Sequence, residues 1–465
     1  MTKRRRRLLV ALAAVVVLPI AAHLAIGPLT HIEPPTKDTP RYTVSEEPNG
    51  VRRAPHGWTA VRGVRLVHLS GSPEEIGATH TALLYDRMAE DERVLWDGFA
   101  QLVPFGPART VMFDVGRVQH RHLLESFPDA RRRELGAQAN AFQPDPYADK
   151  LPTFQRMVTL HALYDIALGF EHSPLLACTA FGITPEQSAN GHALFARVFD
   201  FEAADVFDED KAVFVVREKD KIPFASVAWP GFVGVVTGMN AEGVAIAVHG
   251  GRARETRTTG KPIAFSMRDV LQNAHSTEEA IALLAKDEVM VSHIVFVGDA
   301  KGRFASVERA PGVLAFVRRG NSVTNHFEGP LSTDAKNEEI RKNTTTIERR
   351  DRIDQLLRAI EPRSATVEST LALVRDHQCS TGACPVGDRR AIDAFIATHG
   401  VVADLEARAL WVSEGPHLSG KFVKVTFDEE APTTIEELPA DPALVDGRYE
   451  EGRRRAGGPL MGPKK

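Results

Sequence analysis

The chemistry of this 465-residue chain is expected to begin at Cys178, in the stretch LLACTAFGITPEQSANGHALFARVFDF over residues 175–201. A thiol is a weak nucleophile until a base takes its proton. Downstream of Cys178 no histidine lies close in sequence until His192. A different base is at hand, the cysteine's own α-amine, freed if the Ala177–Cys178 bond is cut. An α-amine has a reference pKa of roughly 8, so it can be unprotonated near neutral pH. CTAF and HALFARVFDF alternate small or apolar residues with β-branched or aromatic ones, and Ser-Ala-Asn-Gly-His between them carries turn chemistry, which predicts a β-hairpin. Arg197 and Asp200 then return beside the cysteine. The carboxylate could hold the amine, and the guanidinium could favour the thiolate. Against this, Cys178 alone reads as a small buried hydrophobe, and Arg197 with Asp200 as a surface ion pair. Their flanking Phe195, Val198, Phe199 and Phe201 argue that at least one of the two charges is partly buried and needs a partner.

The elements around this hairpin follow from composition and periodicity. Lys and Arg total 57 against 61 Asp and Glu, a net charge of −4, so nothing asks for a nucleic-acid partner. Arg4–Arg7 precede about twenty mostly apolar residues, Leu8–Gly27, which reads as an export signal or a single membrane anchor with the N-terminus inside. Residues 28–57 read as a linker rich in Pro, Thr and charge. Order is expected from Trp58: VRLVHLSG as a strand, then Ser72-Pro73-Glu74-Glu75 as a capped start to a helix that carries His80. Further helices are expected at 118–141 and 151–168, the second with Met157, Leu160, Leu163 and Ile166 on one face. His161, Tyr164, Asp165 and His172 lie there without metal-ligand spacing, and no metal is expected. From KAVFVVREKD the chain predicts antiparallel strands, a pair of helices at 265–286, strands again to NSVTNHF, helices at 346–360 and 365–376, and a closing hairpin ending at Phe427. Beyond Asp428 a disordered tail is expected. Cys379 and Cys384 allow a small-loop disulfide if the chain is exported, whereas a metal pair would need two more ligands.

Several motifs carry a resemblance. Cys-Thr, an Asn-Gly turn, Arg-x-x-Asp with a following aromatic, GMNAEGVAIAV (238–248), VTNHF (323–327) and EEIGATHTALL (74–84) occur in an order that resembles the N-terminal-nucleophile hydrolases. The closer likeness is to the acyl-CoA:6-aminopenicillanic acid acyltransferase branch, with choloylglycine hydrolases and penicillin V acylases as cousins. It runs from about Val64 to about Phe427. The resemblance implies an α+β, four-layer αββα sandwich with a helical pro-segment (58–177) and a catalytic region (178–428), while composition sets off an anchor or signal (1–27), a linker (28–57) and the tail (429–465). It implies autoproteolysis between Ala177 and Cys178, although family members often have Gly where Ala177 stands. Asn325 is the implied oxyanion donor. His326 travels with that motif without a role. Cousin enzymes carry a second oxyanion asparagine where this chain has His249. Asn240 reads mainly as a hairpin turn residue and, with His249, as a lesser substrate or oxyanion candidate. Relatives carry a supporting arginine near Arg349 and Arg352, but so many arginines there favour a solvated face. Trp229, Pro230 and Phe232 could line an acyl pocket or simply pack.

The resulting expectation is a small-molecule amide hydrolase or acyltransferase working through a Cys178 thioester, with no cofactor, since no Gly-rich loop marks a coenzyme A site. The alternatives are a membrane-tethered binding protein without catalysis, a coenzyme A-dependent N-acyltransferase, and a cysteine peptidase with a separate His base. The start of the chain implies an exported protein, either secreted or anchored in the inner membrane and facing the periplasm.

Overall fold

The computed structural model describes residues 3–35, 39–169, 176–202 and 204–457. Its N-terminal part consists of α1 (Lys3–Thr30), β1 (Ser45–Glu46), β2 (Arg52–Ala54), β3 (Gly57–Arg62), β4 (Val64–Gly71), α2 (Pro73–Leu102), α3 (Gly106–Gln119), α4 (Asp129–Ala141), α5 (Thr153–His161) and α6 (Leu163–Gly169). After it come β5 (Leu176–Ile183), β6 (Leu194–Phe201), α7 (Val206–Glu209), β7 (Ala212–Glu218), β8 (Phe224–Ala228), β9 (Thr237–Asn240), β10 (Ala245–Gly250), α8 (Ile263–Asn273), α9 (Thr277–Lys286), β11 (His293–Gly298), β12 (Phe304–Ala310), β13 (Val313–Arg319) and β14 (Ser322–Val323). The remainder is α10 (Ala335–Asn343), α11 (Thr346–Arg358), α12 (Val367–Val374), β15 (Ala397–Asp404), β16 (Ala409–Ser413), β17 (Phe422–Val425), β18 (Glu437–Leu438) and α13 (Arg448–Ala456).

Two sheets face each other. One has eleven strands in the order β1-β2-β3-β4-β7-β8-β9-β10-β11-β12-β13, the other seven in the order β14-β5-β6-β15-β16-β17-β18. Strand alternation sorts the side chains. Ala180 and Phe195 point between the sheets and pack with Val213, Val215, Phe296, Val401 and Val412. Phe181, Ala196 and Val198 point the other way, onto Ile353, Leu357, Leu371 and Val374 of α11 and α12. The outer face of the large sheet, including Leu69, Phe214, Val216 and Val248, lies under α2, α5 and α8. The layers are therefore helix, sheet, sheet, helix.

The N-terminal part is less exclusively helical than its sequence suggests. Its strands β1–β4 form one edge of the large sheet, and β4 pairs in parallel with β7. Pairing begins at Ser45, inside the expected linker, because β1 folds back on Arg52–Arg53. The expected capping box holds at α2, where Ser72 Oγ accepts from Glu75 N and Glu75 accepts from Ser72 N. The predicted 118–141 helix breaks into α3 and α4 around Pro128, which cannot continue a helix.

Two expectations change. Among the described residues no helix is long and apolar enough to cross a membrane, so the expected anchor finds no support. The second half of α1 instead docks on its neighbours: His23 lies 2.7 Å from Asp114 on α3, and Thr30 O accepts from Gln155 Nε2 of α5 at 2.9 Å. Residues 429–457, expected as a disordered tail, are packed. Glu429 O accepts from Trp58 Nε1 at 2.7 Å, Pro439 O from Arg375 Nη1 at 2.9 Å, and α13 follows. Single hydrogen bonds of this kind leave no mark on composition.

The N-terminal helices are joined to the rest by a charge cluster with almost no solvent contact. Arg131 and Glu134 of α4 meet Glu218 of β7 and Arg268 and Gln272 of α8. Burial alone would raise the Glu218 carboxyl, but Arg131 and Arg268 hold it down at about 2. Because this folded pKa is depressed, the stabilisation is full above the ordinary carboxyl range and is lost as pH falls toward 2. Arg268→Ala leaves Glu134 and Glu218 short of a partner and should cost about 3–5 kcal/mol in urea unfolding. If the chain is cut before Cys178, the two pieces should co-elute on gel filtration at neutral pH.

Candidate active site

Cys178 sits in β5 with none of its surface exposed, and it is the free cysteine of the chain. In the β5–β6 pairing it stands opposite Phe199, while Ala180 stands opposite Arg197 and Ala177 opposite Asp200. Alternation therefore points Cys178, Phe199 and Arg197 between the sheets and Asp200 toward the α11 side. The hairpin brings the three expected residues together, but on two faces.

Arg197 is completely buried. Its Nη2 donates to Cys178 Sγ at 3.2 Å and to Val248 O at 2.5 Å, its Nη1 lies 2.9 Å from His249 Nε2, and the guanidinium lies 4.9 Å from the centre of the Phe199 ring. His249 thus braces Arg197 and also meets the Cys178 backbone. Alternation explains the placement: Ala245 and Ala247 of β10 face the inter-sheet core, and His249 continues that face. Burial, then Arg197 and Arg349, push His249 well below the ordinary imidazole range, so the neutral ring can accept from Arg197.

Asn325 follows β14 and joins three elements. Its Oδ1 accepts from Cys178 N at 2.6 Å and from Arg349 Nη2 at 3.0 Å, and its Nδ2 donates to Gly250 O at 3.1 Å. Both groups on the Oδ1 side are donors, which fixes the amide orientation. The bond to Gly250 O uses one of the two Nδ2 hydrogens, which leaves the second for the oxyanion role expected of Asn325. His326 lies 3.0 Å from Thr346 Oγ1 and 3.2 Å from Thr324 Oγ1 and does not touch Cys178.

Arg349 is the residue sequence reasoning undervalued. It is 2% exposed, and its Nη1 donates to Cys178 O at 2.6 Å and Thr179 Oγ1 at 2.9 Å. The solvated-face reading is therefore wrong for Arg349. Arg352, by contrast, is largely covered in a two-pronged pair with Asp376 at 2.8 and 2.6 Å.

Burial raises the Cys178 thiol above its usual value; Arg197 and Arg349 oppose this, the Asp200 charge adds to it, and the Asp200 peptide N–H also favours the thiolate. Burial likewise lifts Asp200 to about 7 against the pull of Arg349. Near neutral pH Asp200 is therefore populated both with and without its proton.

Other sequence candidates fall elsewhere. Asn240 is a structural turn residue: its Oδ1 accepts from Glu242 N and Val244 N, and its Nδ2 donates to Leu271 O and Ala274 O. That removes it from the oxyanion candidates. Cys379 and Cys384 are bonded to each other, so the neighbouring Asp388 completes no thiolate metal site. Iodoacetamide should leave the native uncut chain unmodified, add one group after unfolding without reductant, and add three after reduction, read by intact mass. Asp165 accepts from Ile263 N at the start of α8, and His161 bonds backbone at both ring nitrogens. His172 lies outside the described residues. A cleft of about 820 Å³ lined by His31, Arg41, Asn140 and Phe154 lies on the N-terminal helices, away from Cys178.

Two facing sheets lie between helical layers, and the unpaired cysteine stands near the start of β5, the strand next to β14. Residues 187–387 match the family model described as acyl-coenzyme A:6-aminopenicillanic acid acyl-transferase. The match begins beyond Cys178. An uncharacterised protein of Archaeoglobus fulgidus is 27% identical over 265 residues, 54% of this chain and 44% of the relative, so the chain spans less than half of that relative's length. Similar solved structures include a Caenorhabditis elegans N-acylethanolamine-hydrolyzing acid amidase ortholog (12% identity, 50% of this chain and 92% of that one, TM-score 0.36). Others are a conjugated bile acid hydrolase variant from Clostridium perfringens (14%, 57% and 97%, TM-score 0.38) and penicillin V acylase from Agrobacterium tumefaciens (20%, 51% and 82%, TM-score 0.34).

Proposed function

We propose that this chain is an amidohydrolase that cuts itself before Cys178 and then cleaves linear amides through a Cys178 thioester. The observation that supports this best is the hydrogen bond from Cys178 N to Asn325 Oδ1, itself held by Arg349. A peptide nitrogen on which two buried polar side chains converge is in position to become a held amine. In maturation, Cys178 Sγ attacks the Ala177 carbonyl, the Cys178 nitrogen leaves with a proton, and water then hydrolyses the thioester. This returns the thiol and leaves a carboxylate on Ala177. In turnover, the freed amine takes the thiol proton, Asn325 Oδ1 orients that amine, and Arg197 steadies the thiolate.

Asp200, whose charge reaches Cys178 from the α11 face, is assigned the proton acceptor for the maturation step, relayed by a water because the thiol points to the other face, when no amine yet exists. The cutting rate should therefore rise as pH passes about 7, and Asp200→Asn should be slow with a flat profile, measured as fragment formation over time. The sign for stability is opposite. A buried acid with a raised folded pKa favours the fold while protonated, so its contribution falls as pH climbs from about 4 to about 7.

The family description supports a second reading, transfer of the acyl group to an amine instead of water. Adding a competing amine to a turnover assay and measuring the ratio of new amide to free acid separates the two. Export into an oxidising compartment, where the Cys379–Cys384 bond would persist, belongs to the same proposal.

A further inference from the structure

We propose that His399 and Thr237 are positioning residues for the nucleophile, acting on it through Phe199 and Arg197. This rests on the thioester reading above. In the seven-stranded sheet Cys178, Phe199 and His399 stand side by side on β5, β6 and β15. Neighbours in such a row share a face, so all three project between the sheets. The His399 ring lies 4.9 Å from the Phe199 ring and within 23° of parallel to it. The Arg197 guanidinium lies 4.9 Å from the centre of that same ring and donates to Cys178 Sγ at 3.2 Å. Phe199 is thus the surface against which the sulfur's donor rests, and His399 packs against that surface.

What holds His399 comes from the facing sheet. Its Nε2 lies 2.9 Å from Thr237 Oγ1 of β9, and both residues are buried. The bond crosses from one sheet to the other and keeps the imidazole against Phe199. Packing alone does not call for a histidine here. The ring has none of its surface exposed, and its Nδ1 finds no partner among the described residues, a burial that costs stability. A phenylalanine or leucine would carry no such orphaned atom. Burial first, then Arg197 and Lys211, keep His399 well below the ordinary imidazole range, so the ring stays neutral and does not repel Arg197. A guanidinium over an aromatic face is attracted to it, most strongly where water is excluded. With Phe199 fixed, Arg197 keeps one height, from which Nη2 meets both Cys178 Sγ and Val248 O. A donor held at that height favours the thiolate over the thiol, because the charge it answers exists only after the proton has gone.

The test compares the purified full chain with Thr237→Val and Thr237→Ser, using p-nitroanilides of straight-chain acids as the amide. In Thr237→Val the pH of half-maximal turnover should rise by about one unit, the scale of one weakened hydrogen bond to a charge. Near neutral pH kcat should fall about 10-fold with KM little changed. Thr237→Ser, which keeps the hydroxyl, should restore both. His399→Phe keeps a ring beside Phe199 but cannot bond Thr237, and should behave as Thr237→Val does. Arg349, Asp200, His249 and Tyr164 also bear on Cys178, and none of these substitutions removes them, so a moved profile reports on Arg197. An unchanged profile in Thr237→Val and His399→Phe, with circular dichroism intact, overturns the inference while the thioester reading stands. So does a fall in rate without a moved profile, which would mean that His399 only packs. A wild-type protein whose Cys178 is never acylated by any of these amides overturns both.

Discussion

Cys178→Ala should abolish turnover and leave the fold intact. Losses on the order of 10⁵ in kcat accompany removal of a covalent nucleophile, because the remaining residues can bind substrate but cannot form the acyl intermediate. The substitution is mild structurally. The side chain is small and buried, its sulfur accepts from Arg197 Nη2, and that guanidinium keeps Val248 O and His249 as partners when the sulfur is gone. Circular dichroism and urea midpoint should therefore stay close to wild type while amide hydrolysis and covalent acyl labelling vanish. A variant that still hydrolyses amides at the wild-type rate would remove Cys178 from the chemistry.

Arg349→Met should fail in both respects. Arg349 donates to Cys178 O, Thr179 Oγ1 and Asn325 Oδ1, and its charge lies near Asp200. Without it, two buried carbonyl oxygens lose donors and a buried acid loses its counter-charge. A loss of about 3–5 kcal/mol is expected, with Asp200 pushed further above its ordinary range. Turnover should fall by on the order of 10² to 10³, because Asn325 is no longer held against the nucleophile's nitrogen. Arg349→Lys should recover little, since one ammonium cannot span both strands as the planar fork does. If Arg349→Met retains stability and rate, the hydrogen-bond geometry around Cys178 is not what organises the site.

Local pattern carried much of this. The Cys178 hairpin, the Ser72 cap, the turn at Asn240 and the closing hairpin all rest on contacts within a few residues, and those are what a sequence displays. Arg349 looked like one of several surface arginines, yet it shares a helical stripe with Thr346, Ile353 and Leu357, the buried face of α11. That period was the available signal, and it separates Arg349 from Arg352. His249 was likewise placed by alternation with Ala245 and Ala247. His80 and His161 gave no comparable sign, because their partners are peptide N–H groups of a loop about 150 and 70 residues away in the chain. The packed segment 429–457 was missed for the same reason. Asn325 was found through its motif, but which end of its amide faces Cys178 depends on Arg349 and could only come from the assembled site.

The central claim is that Cys178 becomes a chain terminus whose own nitrogen serves its sulfur. N-terminal sequencing and intact mass of catalytically active protein test it most directly. The account predicts two associated fragments, one beginning Cys-Thr-Ala-Phe, and a single uncut chain in Cys178→Ala. Active wild-type protein that remains one continuous chain through Ala177–Cys178 would contradict it.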